Sequence, residues 1–209
     1  MRFLEFKKNL DRFTIFSLND IKKIEPKFYS PRLNEWQKKG YIRKVRRGFY
    51  AFSDINLNEL KLFLVANKLY SPSYVSLDIA LSHYGLIPEG VYSVTSISTR
   101  KTSEFNTSLG NFLYRNIKPQ LFFGYSLAKI EDQEYKIAEI EKAVLDYFYL
   151  NPSMNDENAF AEWRFNIPEF RARADMDKFA RYLKAFGNAK MAARVKRFLA
   201  YMEKENADT

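Results

Sequence analysis

The sequence predicts an α+β protein in two parts, and three observations carry that expectation. All of the surplus charge lies in the first quarter of the chain. Helix-start and helix-stop residues punctuate that same quarter, ahead of a hairpin signal. Strand-like and helix-like runs then alternate before the chain ends in helices. The expected division is a basic unit at 1–53 and a mixed α/β unit at 54–209, helical over 151–209.

Residues 1–11 place Phe3, Phe6 and Leu10 at near-helical spacing. Ser17 precedes Leu18 and Ile21, and Asp20 three residues on makes a variant capping box. Pro26 ends that short helix. Ser30 is expected to cap a second one, with Pro31 in the first turn, where a missing N–H costs nothing. Leu33 and Trp36 give it an apolar side, and Gly40 suits the residue just past its end. Two β-rich runs follow, 41–45 and 49–52, around a turn with Arg46, Arg47 and Gly48. Three helices and a basic hairpin in about fifty residues predict a winged helix-turn-helix, whose second helix of the pair enters the major groove. On that reading Arg32, Asn34, Lys38 and Lys39 face the DNA from the helix. Arg43, Lys44, Arg46 and Arg47 do so from the wing.

Residues 54–58 read as a polar connector, and 59–70 as an amphipathic helix through Leu60, Phe63, Leu64 and Leu69. Ser76 is placed to cap a helix reaching Tyr84, which Gly85 and Pro88 stop. Strands are expected at 91–99, 110–117, 121–125 and 135–138, and a helix at 139–150 with Ile140, Ala143, Val144, Tyr147 and Phe148 on one face. The helical tail is expected at 156–165, 175–186 and 188–205.

Composition narrows the function. The 209 residues hold 34 Lys/Arg against 25 Asp/Glu, one His and no Cys. No disulfide framework, zinc–thiolate site or cysteine nucleophile is available. Residues 1–53 carry 14 basic and 5 acidic residues, and 54–209 carry 20 of each. A basic module on a neutral body favours a polyanionic partner, because binding phosphates releases counterions. The first residues, with charges flanking a short apolar patch, do not suit a signal peptide, and no run suits a membrane span. The expectation is a cytoplasmic protein with no membrane partner.

The middle of the chain resembles the AbiEi-type antitoxin family of abortive-infection, type IV toxin–antitoxin systems. The resemblance runs through Pro72, Ser73, Tyr74, Ser76, Leu77, Ala80 and Leu81, then through 84–89, from Tyr84 and Gly85 to Pro88 and Glu89. Ile79 stands where the family pattern has a small polar residue. Residues 118–125 and 137–146 resemble further family segments, and 36–42 with 47–50 fit its winged-helix half. The resemblance implies a transcriptional autorepressor that binds inverted repeats in its own promoter. It also implies an antitoxin that counteracts a nucleotidyltransferase-type toxin, with no stable complex required. It supplies no catalytic residue, cofactor or metal. A stand-alone winged-helix regulator without a toxin is the alternative, and a metal-dependent nuclease a third reading.

Chemistry elsewhere is weighed against plainer roles. His83 ends a helix with no partner pattern around it, so a helix-terminal role is expected. Gly85 and Gly90 have phosphate-loop spacing, but Val91 and Tyr92 stand where Lys and Ser or Thr are required. Glu131, Asp132, Glu139, Glu141 and Lys142 sketch a nuclease-like set. However, Glu139 and Glu141 do not share a helix face, and Lys142 with Asp146 is expected to be an i,i+4 surface pair. In the last helix Met191, Val195, Phe198 and Met202 make an apolar stripe. Lys190, Arg194 and Arg197 make a basic one, expected as a solvated face or a second nucleic-acid contact.

Overall fold

The computed structural model describes residues 2–88, 90 and 93–207. The first unit runs α1 (Phe3–Leu10), β1 (Phe16–Ser17), α2 (Leu18–Ile24), α3 (Arg32–Lys38), β2 (Ile42–Arg46) and β3 (Phe49–Phe52). Its antiparallel sheet has the order β1-β3-β2, pairing Phe16 with Tyr50 and Ile42 with Phe52. Aromatic rings fill its core. Trp36 lies 4.4 Å from Phe6 and 5.8 Å from Phe28, and Phe16 lies 4.9 Å from Phe52, between ring centroids. Ile15, Val45 and Ala51 instead join the core of the body.

The cap at Ser17 forms as the sequence predicts. The Ser17 hydroxyl accepts from the Asp20 N–H at 3.2 Å, and Asp20 Oδ2 accepts from the Ser17 N–H at 2.8 Å. Burial raises the Asp20 carboxyl pKa, but the bonds from Ser17 and the Lys68 ammonium outweigh it, so the net shift is below the usual carboxylate value. This stabilisation is complete above the unfolded pKa of about 4 and is lost as pH falls through the lowered folded value. Denaturant titrations are therefore expected to show stability falling with pH in that window, with a flatter limb in Asp20→Asn. Ser17→Ala is expected to cost about 1 kcal/mol at neutral pH.

The start of α3 differs from expectation. It begins at Arg32, with Pro31 in the cap position and no side chain closing it. Its end is as predicted, because Gly40 takes φ +71°, where its missing Cβ avoids strain. The Gly40 N–H then donates to the Gln37 carbonyl and the Tyr41 N–H to the Trp36 carbonyl.

The body contains α4 (Glu59–Leu69), β4 (Ser73–Val75), α5 (Asp78–His83), β5 (Ser93–Ser98), β6 (Ser103–Thr107), β7 (Gly110–Asn116), β8 (Tyr125–Ile130) and β9 (Gln133–Ala138). Five helices follow: α6 (Ile140–Leu150), α7 (Glu157–Glu162), α8 (Ile167–Arg173), α9 (Met176–Phe186) and α10 (Ala189–Ala207). Its mixed six-stranded sheet has the order β6-β7-β5-β4-β9-β8. The pairs β5/β7 and β4/β9 are parallel and the others antiparallel. Helix α4 packs on β4, β5 and β9, while α6 touches α5, α9 and α10. Phe148, Phe160, Trp163, Phe165 and Phe198 knit the helical layer together, and Met191, Val195 and Met202 on α10 are buried with them.

Several expectations need correcting. The strand expected at 91–99 is Ser93–Ser98 among the described residues, since Val91 and Tyr92 lie outside them. No strand occupies 121–124. A 3-10 turn at Pro119–Leu121 leads to Gly124 at φ +71°, and β8 begins at Tyr125. A Cβ on Gly124 would lie 2.9 Å from the Tyr182 ring and 3.0 Å from Lys142 Cγ, so packing and backbone both require glycine there. Strand β6 carries no strand signal in the sequence, because it is an edge strand of half-exposed and exposed residues with no apolar run. Helix α8 has no apolar stripe to announce it, because Phe170 is its only buried residue. Ser76 does not cap α5, which starts at Asp78 behind Leu77.

Candidate nucleic-acid interface

The amphipathicity of α3 determines which side chains it offers. Leu33 and Trp36 are drawn into the aromatic core, leaving Asn34, Glu35, Lys38 and Lys39 exposed and Arg32 half-buried. Gln37 lies against its own helix, donating to the Leu33 carbonyl at 3.2 Å.

The hairpin divides its four cations. The β2–β3 register shifts between Lys44 and Arg46, and this bulge breaks the period-two alternation. Ile42 and Val45 are consequently both buried although three residues apart. Arg46 is turned onto the body: its guanidinium donates to the Leu69 carbonyl at 3.1 Å and lies 3.6 Å from the Phe105 ring centroid. Arg43 also reaches across, donating to the Ser108 carbonyl at 3.4 Å. Neither is a free wing-tip cation, which corrects their expected role; Lys44 and Arg47 remain exposed. The structure thus leaves Asn34, Lys38, Lys39, Lys44 and Arg47 available to a ligand and commits Arg43 and Arg46 to docking. A bulge that re-aims one strand residue has no signature in the hydropathy pattern.

The expected surface pair of Lys142 and Asp146 is fully buried. The two side chains bond directly. Asp146 Oδ2 also accepts from the Tyr74 and Ser76 hydroxyls, both at 2.9 Å, and Lys142 Nζ donates to the Tyr74 oxygen at 2.8 Å. The rings of Tyr74, Phe123 and Phe186 surround the ammonium at 5.3, 5.2 and 4.9 Å from their centroids. Burial pushes the Lys142 pKa down and the Asp146 and Tyr74 pKa values up. The signal was legible in principle, because α6 is apolar on nearly every side, and such a helix is enclosed together with its charges.

Of the other acidic candidates, Asp132 is exposed, and Glu131, Glu139 and Glu141 are engaged in structure. Glu141 Oε1 accepts from the Asp175 N–H at 2.8 Å, at the start of α9, and its Oε2 lies 3.3 Å from Lys178 Nζ. Glu139 accepts from the Tyr182 hydroxyl at 2.7 Å. Glu131 pairs with Lys61 across the α4–β8/β9 side. Among the described residues no group of three or more His, Asp or Glu is placed to hold a metal ion. His83 ends α5, with Nδ1 2.9 Å from Glu59 Oε1 and its ring edge-on to Phe63. Gly85 follows α5 at φ +71°, the ordinary role of a helix-terminating glycine.

The basic stripe of α10 is also divided. Arg194 donates to the carbonyls of Phe148 and Asn151, both at 2.8 Å, and of Met154 at 3.3 Å, closing the C-terminal end of α6. That structural duty corrects its assignment to a solvated face. Lys190 and Arg197 stay exposed. Among the described residues no helix is long and apolar enough to cross a membrane. No protein-family model matches the chain, and comparison with curated proteins finds no match.

Proposed function

We propose that the chain is a DNA-binding transcriptional autorepressor and antitoxin of a type IV system, acting against a nucleotidyltransferase-type toxin without needing a stable complex with it. The observation that carries the DNA half is the N-terminal unit. Its order of helix, short strand, two helices and hairpin, with the sheet order β1-β3-β2, fits a winged helix-turn-helix, and all of the chain's surplus charge lies there. On this reading α3 enters the major groove with Asn34 and Lys38, and Lys44 with Arg47 holds flanking phosphates.

The antitoxin half rests on the resemblance of the body. Two of its segments, 72–89 and 137–146, meet in the knot of Tyr74, Ser76, Lys142 and Asp146. The residues carrying the resemblance thus include the frame of the body.

The test is duplex binding to the inverted repeats upstream of the chain's own gene, followed over a salt series, beside co-expression with a neighbouring nucleotidyltransferase gene. Arg47→Ala is expected to weaken binding to all duplexes and to reduce the log–log salt slope by about 0.9 per lost phosphate contact. Arg46→Ala is expected to leave that slope unchanged while lowering thermal stability, because its partners are Leu69 and Phe105. No preference for that promoter over unrelated duplexes would refute the repressor. Toxicity unrelieved by the full chain would refute the antitoxin.

A further inference from the structure

Two grooves on the body adjoin. One has a volume of about 570 Å³ and runs from Lys118 and Gln120 past Tyr149 to Asn188 and Lys190, over the turn between α9 and α10. The other, about 510 Å³, continues from Tyr149, Asn188 and Lys190 to Asn155, Arg194 and Arg197. They share Tyr149, Asn188 and Lys190, so they adjoin and are treated together as one channel. Each lobe falls within the roughly 300–1,000 Å³ typical of a ligand-sized site.

The chemistry of this channel departs from that of the body around it. Over 54–209 acidic and basic residues balance. Among the described residues lining the two lobes there are four cations, Lys118, Lys190, Arg194 and Arg197, and no carboxylate. Arg194 is held rigid by three carbonyls, while Lys118, Lys190 and Arg197 are exposed and free to meet phosphates. Side-chain amides stand between the charges. At the junction of the lobes the Tyr149 ring is braced by Phe186, 5.4 Å away between centroids. A row of cations with a fixed aromatic ring at its centre suits a backbone whose bases are unpaired, since a base inside a duplex has no free face to stack.

We propose that this channel binds single-stranded nucleic acid, with Lys118, Lys190 and Arg197 on the phosphates and Tyr149 stacking one base. The site is separate from the N-terminal unit and does not depend on how that unit reads a duplex.

The test uses the full chain with fluorescein-labelled six-nucleotide oligouridylate and oligothymidylate, read by anisotropy over a salt series. The wild-type chain is expected to bind, and K190E/R197E to bind at least tenfold more weakly, with a salt slope lower by about 0.7 per lost phosphate contact. Tyr149→Leu, which keeps an apolar side chain against Phe186, is expected to lose about five- to hundredfold in affinity. Tighter binding of oligouridylate would identify the natural strand as RNA, tighter binding of oligothymidylate as DNA, and equal binding as either strand read through phosphates and stacking alone. Three results would overturn the proposal: no binding by the wild type, equal binding by K190E/R197E, or displacement of the oligonucleotide by oligoglutamate of equal charge. Promoter-duplex binding in the same variants separates the two proposals. It is expected to survive K190E/R197E, and its failure in the wild type would count against the repressor alone.

Discussion

Lys142→Ala is expected to destabilise the body by about 3–5 kcal/mol, because it leaves the Asp146 carboxylate buried without its cation. Asp146→Ala should cost a similar amount, leaving the ammonium enclosed by three aromatic rings. The informative comparison is the double variant K142M/D146L. Exchanging both charges for apolar groups of similar size removes the desolvation penalty, so the double variant should be more stable than either single one. The Tyr74 and Ser76 hydroxyls would then lose their acceptor, which limits the recovery. Urea denaturation of the three variants measures this directly. A double variant less stable than either single one would show that relieving the buried charges does not offset the loss of the pair.

Trp36→Ala should cost a comparable amount, about 3–5 kcal/mol, but in the other unit. Trp36 is 5 % exposed and touches Phe3, Phe6 and Phe28 at once, so its removal opens the centre of a small core. A loss of that size rivals the whole stability of a domain this small. The N-terminal unit is expected to open while the body, with its own larger core, stays folded. Hydrogen exchange would then show protection lost over α1 to β3 and kept over β4 to β9. Duplex binding should vanish, whereas oligonucleotide binding in the α9–α10 channel should persist. Protection lost together in both units would mean that docking through Arg46, Val45 and Ile15 makes them one cooperative unit.

Much of this architecture can be read directly from the residues. The capping box at Ser17 and Asp20, the helix stop at Gly40, the Phe49–Phe52 strand and the apolar stripe of α10 each depend on neighbours within one or two turns. Local spacing therefore suffices to find them. The concentration of charge in residues 1–53 is likewise a property of the sequence alone. The errors fall where a distant partner decides. Gly124 breaks the expected strand because Lys142 and Tyr182 close on it. Arg194 leaves the solvated stripe because the end of α6 comes within its reach.

Residue pattern and composition alone indicate an α+β chain with a basic N-terminal unit, a strand-rich centre and a helical end. They also indicate which residue types could serve a nucleic-acid surface. Which of those cations are free follows from how the elements pack. Arg43, Arg46 and Arg194 are held by carbonyls of other elements, while Lys44, Arg47, Lys190 and Arg197 are exposed. Lys142 and Asp146 were drawn inside altogether. The reason is physical: an isolated charge has the same signature in sequence wherever it ends up, and whether it meets water, a carbonyl or a counter-ion depends on which element packs over it.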